Sequence, residues 1–225
     1  MTTKNYELGL KIHKLLLDKH LENSFISDVI DKWHDEPHLH QLETKFTEFL
    51  SLLGLNLGDA ELKKTPKRVV KFFLQELFYG LDYRNFPDIS ANFNKFLYKS
   101  PLISKNITVN STCEHHFVAI NGMAIVTYIP DGKIVGLSKL NRIVDFFAHR
   151  PQLQERLTQQ IFVTLQELLE TDNVAIAINA THHCIVARGI QDAGNEILTL
   201  ELGGKFLADE VLKSSFYQLA TQMKT

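Results

Sequence analysis

The chain has little of several things, and each shortage closes an option. It holds only two cysteines in 225 residues, so a disulfide-dense secreted framework is excluded and a single bridge is the most that oxidation could make. No apolar run approaches the roughly 20 residues needed to span a bilayer. The first ten residues mix polar, acidic and basic side chains and lack the apolar stretch of a signal peptide. A cytoplasmic compartment with reduced thiols is therefore expected, with no membrane partner. Charge imbalance is also small: 24 Lys and Arg against 26 Asp and Glu leave a formal charge of −2. That argues against a broad electrostatic footprint for nucleic acid or anionic lipid, so any anionic ligand must be met by a local cluster of basic residues. There is no G-x-x-x-x-G-K-[ST] loop, which argues against a P-loop mechanism. No internal repeat or low-complexity tract stands out.

Core-forming residues are plentiful. Hydrophobic residues make up 44% and charged residues 22%, as in ordinary soluble globular proteins, and the length fits one large domain or a compact domain with an N-terminal extension. Residues 4–21 intersperse Leu8, Leu10, Ile12, Leu15 and Leu16 with polar residues, which predicts an amphipathic helix. Residues 22–37 carry mixed signals and include a linker. A helix is expected over 39–53, capped by Gly54, and another from Thr65-Pro66 to near Gly80. From about Phe96 the character changes. Segments 107–109 and 117–129 are rich in β-branched and aromatic residues, with turn signals at Gly122 and Pro130-Asp131-Gly132. Helices are expected over 138–148 and 152–170, strands over 173–186 and 196–202, and a last helix over 208–223. This order predicts an α+β fold with a largely antiparallel sheet. An N-terminal helical region, 1–95, precedes the sheet-bearing domain, 96–225.

Both cysteines stand beside histidines, in Cys113-Glu114-His115-His116 and in His182-His183-Cys184. Thiolate and imidazole are the ligands preferred by a borderline-soft ion such as Zn²⁺. On an extended strand His182 and Cys184 point to the same face. Cys113 and His116, three apart, reach one ion only if the chain turns, as at a strand end. Three ligands, Cys113, Cys184 and one histidine, leave a tetrahedral position for a water whose pKa falls from 15.7 to roughly 7 on the ion. A closed site with a fourth ligand from His115 or His182 is the alternative. Spacing does not choose between His115 and His116.

Ser138-Lys139-Leu140-Asn141-Arg142 opens a predicted helix, whose N-terminal amides favour an anion. Arg68 and Lys71 are neighbours on one helix face, and Arg188-Gly189 follows the second metal segment. Singly each is an ordinary solvated charge; together they could clamp a polyphosphate. Gln154-Glu155 lies in the first turn of a predicted helix, where such residues are common. A carboxylate can nevertheless accept from the N1–H and 2-amino group of guanine, and an amide can donate and accept.

These motifs converge. Segments 111–117 (Ser-Thr-Cys-Glu-His-His-Phe), 128–130, 136–142 and 150–160, together with His182-His183-Cys184, Ala187-Arg188-Gly189 and Thr65-Pro66-Lys67-Arg68, resemble GTP cyclohydrolase I. The match runs from about Leu39 to the C-terminus. The resemblance implies a zinc-dependent hydrolase that opens the guanine imidazole ring of GTP, releases formate and forms 7,8-dihydroneopterin triphosphate, the first step of tetrahydrofolate and pterin biosynthesis. By the same analogy Cys113, His116 and Cys184 hold the zinc and His115 is free. Water activated there attacks C8, His115 serves as general acid toward N7, and His182 is the second proton-transfer group. Gln154 and Glu155 grip the guanine edge. Ser138, Lys139, Arg142 and Arg188 hold the triphosphate, with Arg68 and Lys71 reaching in from a neighbouring subunit. The implied architecture is the tunnelling fold, an antiparallel sheet with helices on one face, catalytic over 96–225 and assembled as a toroidal homodecamer. Met123 and Val186 stand where some relatives place lysine, and Glu201 where a small hydroxyl residue is usual; His183 is a bystander. These departures bear on substrate affinity more than on the reaction.

Overall fold

Amphipathic helices come first, as their periodicity predicts. The computed structural model describes residues 3–224. Helix α1 (Tyr6–Asp18) starts where the Asn5 side chain accepts from the Leu8 N–H at 3.0 Å, and it buries Ile12 and Leu16 completely. The expected linker contains a one-turn helix, α2 (Ser27–Ile30), and a 3-10 turn before α3 (Glu36–Leu52). Helix α4 (Thr65–Lys71) does not run on regularly to Gly80. It widens into a π-helical turn over Phe72–Leu77, followed by a 3-10 turn over Tyr79–Leu81. Only glycine fits at position 80, because a Cβ there would meet the Phe146 carbonyl oxygen at 2.0 Å.

The remaining elements alternate sheet and helix. Strand β1 (Ala91–Phe93) forms a small ribbon with β4 (Lys133–Val135), while β2 (Leu102–Cys113) and β3 (Ala119–Tyr128) form a long antiparallel pair. Then come α5 (Leu137–Ala148), β5 (Pro151–Gln152), α6 (Gln154–Leu169), β6 (Val174–His182), α7 (His183–Val186), β7 (Ile197–Leu202), α8 (Lys205–Ala208) and α9 (Glu210–Thr221). The main sheet has the order β5-β2-β3-β6-β7 and is antiparallel except where β5 lies parallel to the end of β2, through Thr112–Pro151 and Cys113–Gln152.

The period of two along each strand sorts the core. Ile120, Ala124 and Val126 of β3 and Ile176 and Ile178 of β6 pack with the apolar stripes of α5 and α6. The intervening Ile125, Ala175 and Ala177 pack instead with Phe206, Phe216 and Ala220. Helices on one face thus describes α5 and α6, and the C-terminal helices add a smaller cover on the other face. Ile12 and Leu16 join the larger core, so α1 is packed with the sheet domain.

One buried ion pair ties the N-terminal region to the end of α5. Arg150 has no solvent exposure, and its guanidinium carbon lies 5.0, 4.8 and 4.7 Å from the ring centres of Tyr83, Phe146 and Phe147. It donates to Glu22 at 2.8 Å, and the same carboxylate bonds His13 at 2.6 Å and the Tyr83 hydroxyl. Burial alone would raise the Glu22 carboxyl, but the His13 bond, the Arg150 charge, the Tyr83 bond and the Asn23 N–H hold it below its ordinary value. Its contribution to stability is therefore complete above the unfolded-state pKa and is lost as pH falls through the folded-state value. Glu22→Ala leaves Arg150 buried without its counter-charge and is expected to destabilise by about 3–5 kcal/mol. Urea denaturation measures this, and an unchanged midpoint would contradict it.

Candidate metal centre

The first metal segment is shaped by the end of β2. Phe117 takes a left-handed backbone (φ 53), its N–H bonds the Cys113 carbonyl at 2.9 Å, and the Cys113 N–H bonds the Val118 carbonyl at 2.9 Å. That turn brings Cys113 and His116 to one side, as their spacing of three required. A strut from α6 holds it. Arg156 pairs with Glu114 and bonds Gln152 Oε1 at 3.1 Å, while the Glu114 N–H bonds the Gln152 carbonyl at 3.1 Å.

The second segment differs from its expectation. A strand was expected through residue 186, but β6 stops at His182 and Cys184 sits in the one-turn helix α7, closed by the Ala187 N–H on the His183 carbonyl at 2.9 Å. Ile185 and Val186 favour strand, and tertiary context overrides that preference. His182 and Cys184 therefore do not share a strand face.

One ligand atom each from Cys113, His116 and Cys184 lies within 4.8 Å of the others, and no other group of three such residues is found among the described residues. Cys113 Sγ is 3.8 Å from His116 Nδ1, and Arg188 donates to His116 Nε2 at 2.7 Å. Cys113 is buried, Cys184 half-buried and His116 exposed, so the group opens to solvent on one side. Burial and the adjacent Cys113 push the Cys184 thiol up. A cation among two sulfurs and an imidazole reverses that preference, and this soft donor set suits a transition-type metal, not the oxygen-seeking Ca²⁺ or Mg²⁺. His115, left undecided by spacing, lies outside the group: it is exposed, its ring 6.2 Å from that of His116.

His182 is half-buried at the end of β6, and its Nε2 lies 2.7 Å from Gln154 Oε1. Burial lowers its pKa against an opposing effect of the Glu155 charge, which keeps the imidazole neutral over more of the pH range. Glu155 is exposed in the first turn of α6, whereas Gln154 beside it is 1% exposed.

The basic residues divide into two groups. Arg188 touches the metal group. Ser138, Lys139 and Arg142 do not: they occupy the first turns of α5, whose other end, at Ala148, meets Ser111 at 2.6 Å. Ten residues of helix separate Ser138 from Ala148, about 15 Å along the axis. Lys139 bonds the Asp88 carbonyl, and Arg142 lines a cavity of about 450 Å³ with Trp33, Tyr79 and Asp145. Arg68 and Lys71 are exposed on α4. The π-helical turn after them sets Phe73 6.3 Å from Phe117, and Phe78 packs 5.5 Å from the same ring. Glu201, a departure that could have faced the phosphates, accepts from Gln159 at 3.0 Å. The strut residues Glu114, Gln152 and Arg156 went unassigned in the sequence, although all lie in the quoted motifs; their only signal was charge and amide content.

Comparison with known proteins gives a consistent result. The sequence model of the family described as GTP cyclohydrolase I matches residues 42–221. A GTP cyclohydrolase 1 from Photobacterium profundum is 47% identical over 211 residues, covering 94% of this chain and 96% of that protein. The proteins of the same name from Serratia proteamaculans and Vibrio cholerae are 45% identical over 216 residues and 52% over 176, covering 96% and 78% of this chain and 96% and 81% of their own lengths.

Proposed function

The chain belongs to the GTP cyclohydrolase I family, and from that premise we propose how its residues divide the hydrolytic opening of GTP, with release of formate and formation of 7,8-dihydroneopterin triphosphate. Cys113, His116 and Cys184 hold a zinc ion, and their convergence within 4.8 Å is the observation that carries the reading. When bound, the zinc supplies Lewis-acid chemistry that activates water near neutral pH. His115 stands beside the ligands with its ring free and delivers a proton to N7 of the purine as the ring opens. His182, whose pKa burial lowers against the opposing Glu155 charge, is the second proton-transfer group. Glu155, exposed at the start of α6, accepts from the N1–H and 2-amino group of guanine.

The triphosphate is held by Arg188 from one side and by Ser138, Lys139, Arg142, Arg68 and Lys71 from others. Anchoring both ends of the opened intermediate keeps it aligned for closure of the pterin ring. The separation of Ser138, Lys139 and Arg142 from the metal group supports a site shared between subunits. So do the sheet edges: β7 is an outer strand, and β5 pairs only with Thr112 and Cys113 of β2. Pairing such edges between copies removes their open backbone groups, in keeping with a toroidal homodecamer of tunnelling-fold subunits. Residues 96–225 form the catalytic domain, and 1–95 an N-terminal helical region. A cytoplasmic location keeps both thiols reduced, and no described helix is long and apolar enough to cross a membrane.

Purified protein incubated with GTP is expected to release formate and a pterin that fluoresces after oxidation. Chelation abolishes both products and added zinc restores them. Full zinc occupancy with no formate released would overturn the proposal.

A further inference from the structure

We propose that Gln154 is a positioning residue, which holds His182 with its proton on Nε2, and that it makes no contact to the guanine edge. The inference deepens the role given to His182 above and rests on it.

The geometry leaves the Gln154 amide no freedom. Its Nε2 lies 2.9 Å from the Ile178 carbonyl of β6 and 2.8 Å from the Ile197 carbonyl of β7. Carbonyl oxygens only accept, so both amide protons are taken, and the nitrogen end is identified. The reversed amide would press its oxygen against two carbonyl oxygens. Thr199 Oγ1 lies 3.1 Å from the same nitrogen. Its orientation is fixed in turn: the Thr158 hydroxyl donates to the Gln154 backbone carbonyl at 2.8 Å, so the Thr199 hydroxyl donates to Thr158 at 2.7 Å and keeps lone pairs toward Gln154.

What remains is the amide oxygen, and it faces His182 Nε2 at 2.7 Å. That oxygen accepts, so Nε2 donates and Nδ1 is the ring nitrogen left with a lone pair. The amide is thus spent on two strands and one imidazole, and at 1% exposure no N–H of it reaches a ligand. The first turn of α6 divides its labour: Glu155 faces outward and Gln154 faces inward. The arrangement clamps β6 to β7 at the point where β6 delivers His182, so the same ring nitrogen is presented at every turnover.

Steady-state kinetics of zinc-loaded variants on GTP test this. Gln154→Ala is expected to lower kcat about tenfold to a hundredfold with KM within about twofold of wild type. Glu155→Gln is expected to raise KM. Because Gln154 acts through His182, the Gln154→Ala/His182→Ala double variant is expected to be no slower than His182→Ala alone. Thr199→Val, which removes one amide contact, is expected to shift kcat in the same sense by less. It carries the same tests if Gln154→Ala does not fold. A raised KM with kcat retained in Gln154→Ala, or fully additive losses in the double variant, would identify a substrate contact and overturn the inference. A normal wild type with unchanged kcat in His182→Ala overturns this inference and the role given to His182 but leaves the hydrolytic opening of GTP standing, whereas a wild type that releases no formate overturns the proposed function and this inference with it.

Discussion

Cys184→Ser is expected to lose the metal and the reaction together. Serine is nearly isosteric with cysteine, so the half-buried position in α7 keeps its packing. A neutral hydroxyl is a poor ligand beside thiolate, however, and only two protein ligands would remain. Turnover is expected to fall on the order of a thousandfold or more, in proportion to metal lost. Elemental analysis of metal per chain, read beside formate release, checks the coupling. Cys113→Ser should behave alike. Retained activity in a metal-free Cys184→Ser protein would separate the metal from the chemistry and contradict the account.

His115→Ala is expected to do the opposite at the metal and the same at the reaction. His115 is exposed and lies outside the three-residue group, its ring 6.2 Å from that of His116. Metal content and thermal stability should match wild type. Losing a general acid should cost about a hundredfold to ten-thousandfold in turnover. The contrast between adjacent residues is the discriminating feature, because a merely structural zinc would make His115 dispensable. Loss of metal in His115→Ala would show that the ligand set is misassigned.

What the sequence made legible, and what it hid, follows from the range of the interactions. The turn at 113–117 was readable because two ligands three apart cannot share a strand face, and the Phe117 backbone bears that out. The second segment was misread beyond His182, since Ile185 and Val186 carry strand preference in a stretch that folds as a helical turn. The 138–142 cluster was readable as cationic but not as distant. Helix α5 returns along β2 and places that cluster far from Ala148 and the metal turn, which no local pattern encodes. The Glu22–Arg150 pair spans 128 residues, and the Arg156–Glu114 strut spans 42. Neither has a periodic signature. Gln154 reads in sequence either as an ordinary helix-start residue or as a guanine contact, and nothing local shows its burial, which depends on two strands that arrive later in the chain.

Zinc K-edge absorption spectroscopy of the reconstituted enzyme tests the central claim most directly, since it reads the ligand set itself. The account predicts two sulfurs at about 2.3 Å, one imidazole nitrogen and one oxygen from water, unchanged by His115→Ala. A second imidazole in the wild-type spectrum, or its loss in His115→Ala, would mean a closed site of four protein ligands and would contradict it.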